Sequence, residues 1–331
     1  MRRRALLRGV AALAVATTGA RAQSSPRVVG ILMPYSHGDV IVQARVDGFR
    51  NALAELGWRD GDTVRFDLRW PGDDLEKVRR DAAELVERGV DAILTTGSRV
   101  VPIVQRQTRT IPIVFVGTSD PVGQGFVAAL ARPGGNTTGF SLFEFAGDSA
   151  PVIGKMLELL RQIAPATSRA ALVFNPDNPA TAIYASTFTA AGRALGVAAT
   201  ALPLRRPEDL RAAISAFATT PGAGLVFPSD LTLLANRALV TGLAAELRVP
   251  AIFADTAFAV AGGLAAYSPD RADMFKRAAR YVDRIFRGES PGDLPVQQPT
   301  RYELVINLRS AAGLGLVVPP VVLALADEVI E

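Results

Sequence analysis

The chain has 331 residues, of which 49% are hydrophobic and 21% charged, so it is long enough and apolar enough for two folded domains. It contains no cysteine, which excludes disulfides, thiolate nucleophiles and cysteine-ligated metals. The only histidine is His37, so no second imidazole exists for a metal pair, and we expect neither a metal nor another cofactor.

Residues 1–22 have the pattern of a cleaved export signal. Four arginines within the first eight residues precede an apolar stretch, and a small-x-small cleavage pattern ends at Ala22. The Arg3-Arg4 pair leaves both Sec and twin-arginine export open. The segment holds five arginines and no acid, so its removal changes the net charge from +4 to −1. A nearly neutral mature chain indicates neither nucleic acid nor an anionic membrane as partner, and we predict a soluble periplasmic protein.

Short β-branched runs alternate with helical patterns through the first half of the mature chain. This alternation is typical of βα units and predicts a parallel sheet with helices on both faces. The predicted strands are 28–32, 64–70, 91–95 and 111–116. The predicted helices are 44–56, 74–88 and 99–108.

The same order of elements recurs from Arg169, which predicts a second lobe of similar design. The strand that begins there is followed by Asn175-Pro176, as the first strand is followed by Met33-Pro34, and residues 262–268 correspond to 134–141. The predicted fold class is α/β, with two Rossmann-like lobes, each a parallel sheet flanked by helices. Ligands bind beyond the carboxyl ends of such strands, so two facing lobes would hold a ligand in a cleft and close over it.

The sequence offers little support for catalysis. Residues 123–128 satisfy a dinucleotide-binding glycine pattern, but they follow the fourth strand instead of the first, which argues against a nucleotide site. No Gly-x-Ser-x-Gly elbow accompanies His37. We therefore expect no enzyme, and we expect Gly123 and Gly125 to shape a turn beyond the cleft.

Polar or small residues follow most of the predicted strands, at the edge where the cleft should lie. The candidate ligand-binding residues are Tyr35, Ser36, His37, Gly97, Ser98, Thr118, Ser119, Asp120, Asn175, Asp177, Asn178, Ser229, Asp230, Asp255 and Tyr267. Helix capping is the alternative role for each, because they stand where helices should begin. Within the set, Ser98 and Ser119 suit a ligand carboxylate. Asp230 or Asp255 suits an ammonium, and Tyr35 or Tyr267 an apolar ligand body.

Three pairs of stretches closely resemble one known family. They are SDPVG at 119–123 with ARPGGNTTG at 131–139, YSPD at 267–270 with YVD at 281–283, and LPVQQPTRYELVINL at 294–308 with ADEVIE at 326–331. The chain resembles the ABC-transporter substrate-binding proteins that include tryptophan- and phenylalanine-binding members. The resemblance implies a type I periplasmic-binding-protein fold with three hinge crossovers, near 139–142, 262–267 and 299–305. It implies 27–139 plus 265–298 as lobe I, and 142–262 plus 302–331 as lobe II.

The resemblance also implies a function. It is that of an exported solute receptor of an ABC importer, a monomer that binds a small amino-acid or carboxylate-like ligand by hinge closure. Its partners would be the ligand and permease subunits in the inner membrane. A ligand-sensing module for a membrane sensor protein and an exported α/β hydrolase are the alternatives.

Overall fold

The computed structural model describes residues 25–143 and 151–331, so the predicted signal peptide lies outside the described residues. The first sheet has five parallel strands in the order β2-β1-β3-β4-β5. They are β1 Arg27–Leu32, β2 Val64–Arg69, β3 Ala92–Thr96, β4 Ile113–Thr118 and β5 Thr137–Ser141. The second sheet has the order β12-β11-β10-β9-β8-β6-β7. Its strands are β6 Arg169–Phe174, β7 Ala198–Pro203, β8 Ala223–Phe227, β9 Ala251–Phe253, β10 Ala265–Pro269, β11 Tyr302–Asn307 and β12 Glu328–Ile330.

Helices connect most of these strands. They are α1 Val40–Glu55, α2 Leu75–Glu87, α3 Val101–Gln107, α4 Pro151–Ile163, α5 Thr181–Leu195, α6 Leu210–Ala218, α7 Leu231–Ala235, α8 Arg237–Glu246, α9 Thr256–Val260, α10 Arg271–Phe286, α11 Leu308–Gly313 and α12 Pro320–Leu323. None of the helices in residues 25–143 and 151–331 is long and apolar enough to cross a membrane.

The predicted fold class is confirmed, with one exception in the second sheet. Strand β11 runs antiparallel to β10, so that sheet is mostly and not wholly parallel. Mixed sheets of this kind are common among large α/β sheets, and here the antiparallel pair lies near one edge, with β12 as the outermost strand. We call each sheet with the helices packed on it the first lobe and the second lobe.

The second crossing between the lobes begins later than the sequence suggested. We assigned residues from 265 onwards to the first lobe, but β10 pairs with β9 and β11 in the second sheet. The chain leaves that sheet only after Pro269, and the helix that follows, α10, packs on α1 and β4 of the first lobe. The apolar alternation of 265–269 had no feature that distinguished a sheet strand from a hinge. The other lobe boundaries stay a prediction.

Alternating side chains of the strands face helices on opposite sides of the first sheet. Ile31 of β1 packs in the same cluster as Phe49 of α1, whereas Leu32 packs in another cluster with Leu85 of α2. The α1 cluster continues into the second lobe, where it includes Leu233 and Leu234 of α7. The two lobes are therefore in apolar contact beside the cleft.

Candidate ligand-binding site

A buried ion pair joins the two lobes where the carboxyl ends of their sheets meet. Nη2 of Arg45, from α1, lies 2.8 Å from Oδ1 of Asp255, which follows β9. The two side chains are 7% and 2% exposed. Asp255 also caps α9, because its Oδ1 accepts the Ala257 N–H at 2.9 Å. The pair therefore holds α1 of the first lobe against α9 of the second.

A second guanidinium reaches the same carboxylate. Nε of Arg271, the first residue of α10, lies 2.8 Å from Oδ2 of Asp255, although its N–H direction makes this a charge contact without a hydrogen bond. Arg271 Nη2 donates to the Ser229 hydroxyl at 2.9 Å. Burial alone would raise the pKa of Asp255, but Arg45 and Arg271 hold it well below its usual range. The cluster thus contains two cations and one anion, and Asp255 is fully engaged within the protein.

Asp230 is differently placed, because only one of its carboxylate oxygens has a partner. It caps α7, where Oδ1 accepts the Leu233 N–H at 3.0 Å. Its Oδ2 is buried and has no hydrogen-bond partner among the described residues. Burial raises the pKa of Asp230, since desolvation disfavours the charged form. Of the two acids that suit an ammonium, Asp230 is the one with an oxygen available.

The first lobe contributes the hydroxyl groups of Ser98 and Ser119 close to Asp230. Ser98 Oγ accepts the Ser119 N–H at 3.0 Å, which orders the residues after β4. The Ser119 hydroxyl meets the hydroxyl of Tyr184, on α5 of the second lobe, at 2.5 Å. Burial raises the pKa of Tyr184, so its phenol stays protonated and can donate. Thr118 Oγ1 is buried without a partner in the described part of the chain.

Asp230, Ser98 and Ser119 line a small cavity between the lobes. Its volume is about 20 Å³, and its lining residues are Gly97, Ser98, Arg99, Ser119, Asn178, Ser229, Asp230 and Leu231. Gly97 has φ +90°, and a Cβ built there would lie 2.6 Å from Cδ1 of Leu231, so the lobes touch closely at this point. The structure thus brings together six of the fifteen candidate residues around one polar cavity.

The remaining candidates lie outside the cavity lining. Tyr35 is buried beside the Arg45–Asp255–Arg271 cluster. Thr118 is buried close by at the end of β4.

Of five other candidates, four lie in turns or on the surface, and the fifth, Tyr267, lies against the second-lobe core. Ser36 and His37 are exposed, with His37 edge-on to Trp70 at 5.8 Å. Asn175 Oδ1 accepts the Asp177 N–H at 2.9 Å, and Asp177 pairs on the surface with Arg205. Tyr267 stacks on Tyr302 in the second-lobe core, 5.3 Å between ring centroids, and does not line the cavity.

The glycine-rich loop after β4 forms a turn. Asp120 Oδ1 accepts the Gly123 N–H at 2.9 Å, and a Cβ at Gly123 would lie 1.9 Å from the same carboxylate. Gly125 follows with φ +71°. The tightness of this turn accounts for both glycines without a phosphate.

Several residues at the site were missed by the sequence analysis. They are Arg45, Arg99, Tyr184, Leu231 and Arg271. For Arg45 a signal exists, because it stands on the buried face of α1 with Val42, Val46 and Phe49. A charge on an apolar helical stripe needs a buried partner. Tyr184 and Leu231 carry no such signal, since aromatic and aliphatic residues are ordinary on helix faces.

The arrangement is suited to binding a polar small molecule. It offers one unpaired carboxylate oxygen, a hydroxyl group from each lobe and a nearby excess of positive charge. No group of three metal-ligating side chains occurs within residues 25–143 or 151–331.

Comparison with known proteins places the chain in a family. The family model described as ABC transporter substrate binding protein matches residues 28–330. The chain belongs to this family. Family membership indicates a solute-binding protein, and it confirms the resemblance seen in the sequence.

The relatives and structural neighbours of the chain are distant from it in sequence. A tyrosine-binding protein of Clostridioides difficile (strain R20291) is 24% identical over 269 residues, covering 81% of this chain and 76% of the relative. A crystal structure of the ABC domain in complex with L-Trp from Streptococcus pneumonia has a TM-score of 0.83 at 23% identity, covering 92% of this chain and 100% of that one. A conserved domain protein from Vibrio cholerae also has a TM-score of 0.83, at 24% identity, covering 92% and 99%. These structures confirm the type I periplasmic-binding-protein fold.

Proposed function

We propose that this substrate-binding protein captures an amino acid in the cleft between its lobes and delivers it to an ABC permease. The observation that carries the proposal is the unpaired, buried Oδ2 of Asp230, a residue that lines the same cavity as Ser119, whose hydroxyl meets that of Tyr184. A primary ammonium beside Asp230 would satisfy this oxygen, and a carboxylate would accept from the two hydroxyls. A free amino acid carries both groups on adjacent atoms.

The comparisons support this ligand class. One relative of the chain is a tyrosine-binding protein, and a structural neighbour was solved with L-Trp. Both ligands are amino acids. The export pattern of residues 1–22 supports delivery to the periplasm, where the protein would meet inner-membrane permease subunits as a monomer.

The proposal is tested by calorimetric titration of the purified mature protein with a panel of the free L-amino acids. We expect saturable binding of at least one of them. Asp230→Asn should weaken that binding at least about tenfold, because it removes the charge partner of the ammonium. Asp177→Asn is the matched control, since Asp177 is a solvent-exposed acid of the same lobe that lies outside the cavity lining.

Binding of no amino acid by the wild-type protein would refute the proposal. Tighter binding by Asp230→Asn would also contradict it, because that result would indicate an anionic group at this position. The export step has its own test, in which the mass of protein recovered from the periplasm should match a chain that begins after Ala22.

A further inference from the structure

Two ion pairs of opposite polarity join α1 of the first lobe to the second lobe. At the start of the helix the acid belongs to α1, because Oδ2 of its capping residue, Asp39, accepts from Nη1 of Arg237 of α8 at 2.6 Å. Farther along, the base belongs to α1, where Arg45 pairs with Asp255 at 2.8 Å. The Asp39 and Arg237 side chains are 5% and 19% exposed, so this pair too is largely removed from water. Each lobe therefore supplies one cation and one anion to the contact.

Both acids are held in place by helices of their own lobe. Asp39 Oδ1 accepts the N–H groups of Ile41 and Val42 at the start of α1. Asp255 Oδ1 accepts the Ala257 N–H at the start of α9. Capping fixes the position of each carboxylate. The arginine of the opposite lobe therefore meets a preformed acceptor.

The change of sign along α1 permits only one alignment of the two lobes. Asp39 and Arg45 are six residues apart, which is about 9 Å along a helix. A shift of the second lobe by that distance would bring Arg45 towards Arg237, or Asp39 towards Asp255. Like charges would then be buried together, and a buried charge without a counter-charge is strongly destabilising. The two pairs therefore distinguish the observed alignment from its neighbours.

Apolar contact beside these pairs supplies attraction without direction. The cluster around α1 includes Leu233 and Leu234 of α7, whose burial favours contact between the lobes. We propose that the two reciprocal ion pairs form an interlobe latch, which fixes this one alignment and holds the lobes together without a ligand. The inference goes beyond the proposed function, because the latch consists of protein groups alone and needs no amino acid.

The pair to change is Asp39–Arg237, because removing Asp255 of the other pair would destabilise the fold itself. Asp39→Asn removes the charge, and asparagine can still cap α1. Arg237→Met removes the cation from the second lobe and keeps a long side chain there. Asp47→Asn is the matched control, since Asp47 is an exposed acid of the same helix whose partner, Arg50, belongs to the same lobe.

The distance between the lobes is measured by double electron–electron resonance between two spin labels, on Glu76→Cys and Glu208→Cys. The chain contains no cysteine, so these two positions alone are labelled. Both residues are exposed, and they follow the outermost strands β2 and β7, at the edge where the lobes face each other. Each protein is refolded from urea without amino acids, which removes any copurified ligand, and a thermal melt checks that it is folded.

We expect a short distance as the main population in the otherwise unchanged protein and in Asp47→Asn. Asp39→Asn and Arg237→Met should each raise the ratio of long to short distances at least about fivefold, because each leaves the other member of the pair buried without its counter-charge. The double variant should show no larger change than the single variants, since both act on one pair.

A mainly long distance without either substitution would overturn the latch. So would variants that match Asp47→Asn, or effects that add in the double variant. Failure of the proposed function has a different signature, because a protein that binds no amino acid but shows these distance changes would refute that function and leave the latch intact.

Discussion

Some buried polar atoms at the cleft have hydrogen-bond or ion-pair partners within the protein, and others have none among the described residues. Asp255 has partners for both oxygens, whereas Asp230 Oδ2 and Thr118 Oγ1 are buried without any among the described residues. An unpaired buried polar atom destabilises the protein by about 1–3 kcal/mol, which a ligand that supplies the partner can recover. These atoms therefore indicate where a ligand would gain most from binding.

The titration of Asp230 predicts how binding depends on pH. Burial raises the pKa of Asp230 in the protein without ligand, and an adjacent ammonium would lower it again. The unliganded protein then binds the proton more tightly than the complex does, so amino-acid affinity should fall on acidification through the raised pKa. The sign for folding is opposite, because a carboxyl with a raised pKa loses its stability contribution as the pH increases.

Calorimetry between about pH 4.5 and pH 8 measures this dependence, because that range lies above the ordinary pKa of an aspartate, from which the pKa of Asp230 is raised. The slope should disappear in Asp230→Asn, which has no proton to exchange. Affinity that improves on acidification would contradict an ammonium contact at Asp230.

For single residues, the sequence predicted which side chains lie at strand ends, but it did not predict which side chains they pair with. Asp230 and Asp255 were both predicted at strand ends, yet only the structure distinguishes them. Asp255 is paired with a side chain 210 residues away, Arg45, and no local pattern encodes such a contact.

Helices α1, α9 and α10 meet at a single carboxylate, which makes Asp255 the main electrostatic link between these elements. It caps α9, and it pairs with Arg45 of α1 and Arg271 of α10. Tyr35 packs beside this junction from the end of β1. The pKa of Asp255 lies below its ordinary value of 3.8, so its contribution to folding is present above that pH and is lost only in stronger acid.

Asp255→Asn should therefore destabilise the fold by about 3–5 kcal/mol, because it leaves two guanidiniums buried without a counter-charge. Asparagine keeps the ability to cap α9, so the loss reports mainly on the ion pairs. Urea denaturation measures the free energy of unfolding. Asp177→Asn, which breaks an exposed pair with Arg205, should change it by less than about 1 kcal/mol. Similar effects for the two substitutions would contradict a structural role for the cluster.

The first residue of α1 shows that hydrophobic periodicity alone does not locate the start of a helix. The prediction placed the first helix at 44–56, whereas α1 begins at Val40. Asp39 accepts the N–H groups of Ile41 and Val42, both at 3.2 Å, and so starts the helix before its apolar stripe begins. Its other oxygen accepts from Arg237 of the second lobe at 2.6 Å. The capping residue was readable in the sequence, but its contact with the opposite lobe was not.

The whole molecule is two α/β units that meet at the carboxyl ends of their strands. The internal repeat predicted this architecture, because each βα unit must bury its own sheet faces whatever the ligand. The composition of the cleft was predictable only in part, since residues far apart in sequence are neighbours where the lobes meet. Ser119 with Tyr184 and Gly97 with Leu231 are two such contacts.

The central claim is that the cleft between the lobes holds an amino acid with its ammonium at Asp230. A crystal structure of the protein grown with its preferred amino acid tests it most directly. We predict ligand density between the lobes, with the ligand nitrogen at about 2.7–2.9 Å from Asp230 Oδ2, the separation of a charge-assisted hydrogen bond. Density outside the cleft, or a ligand inside it whose carboxylate faces Asp230, would contradict the account.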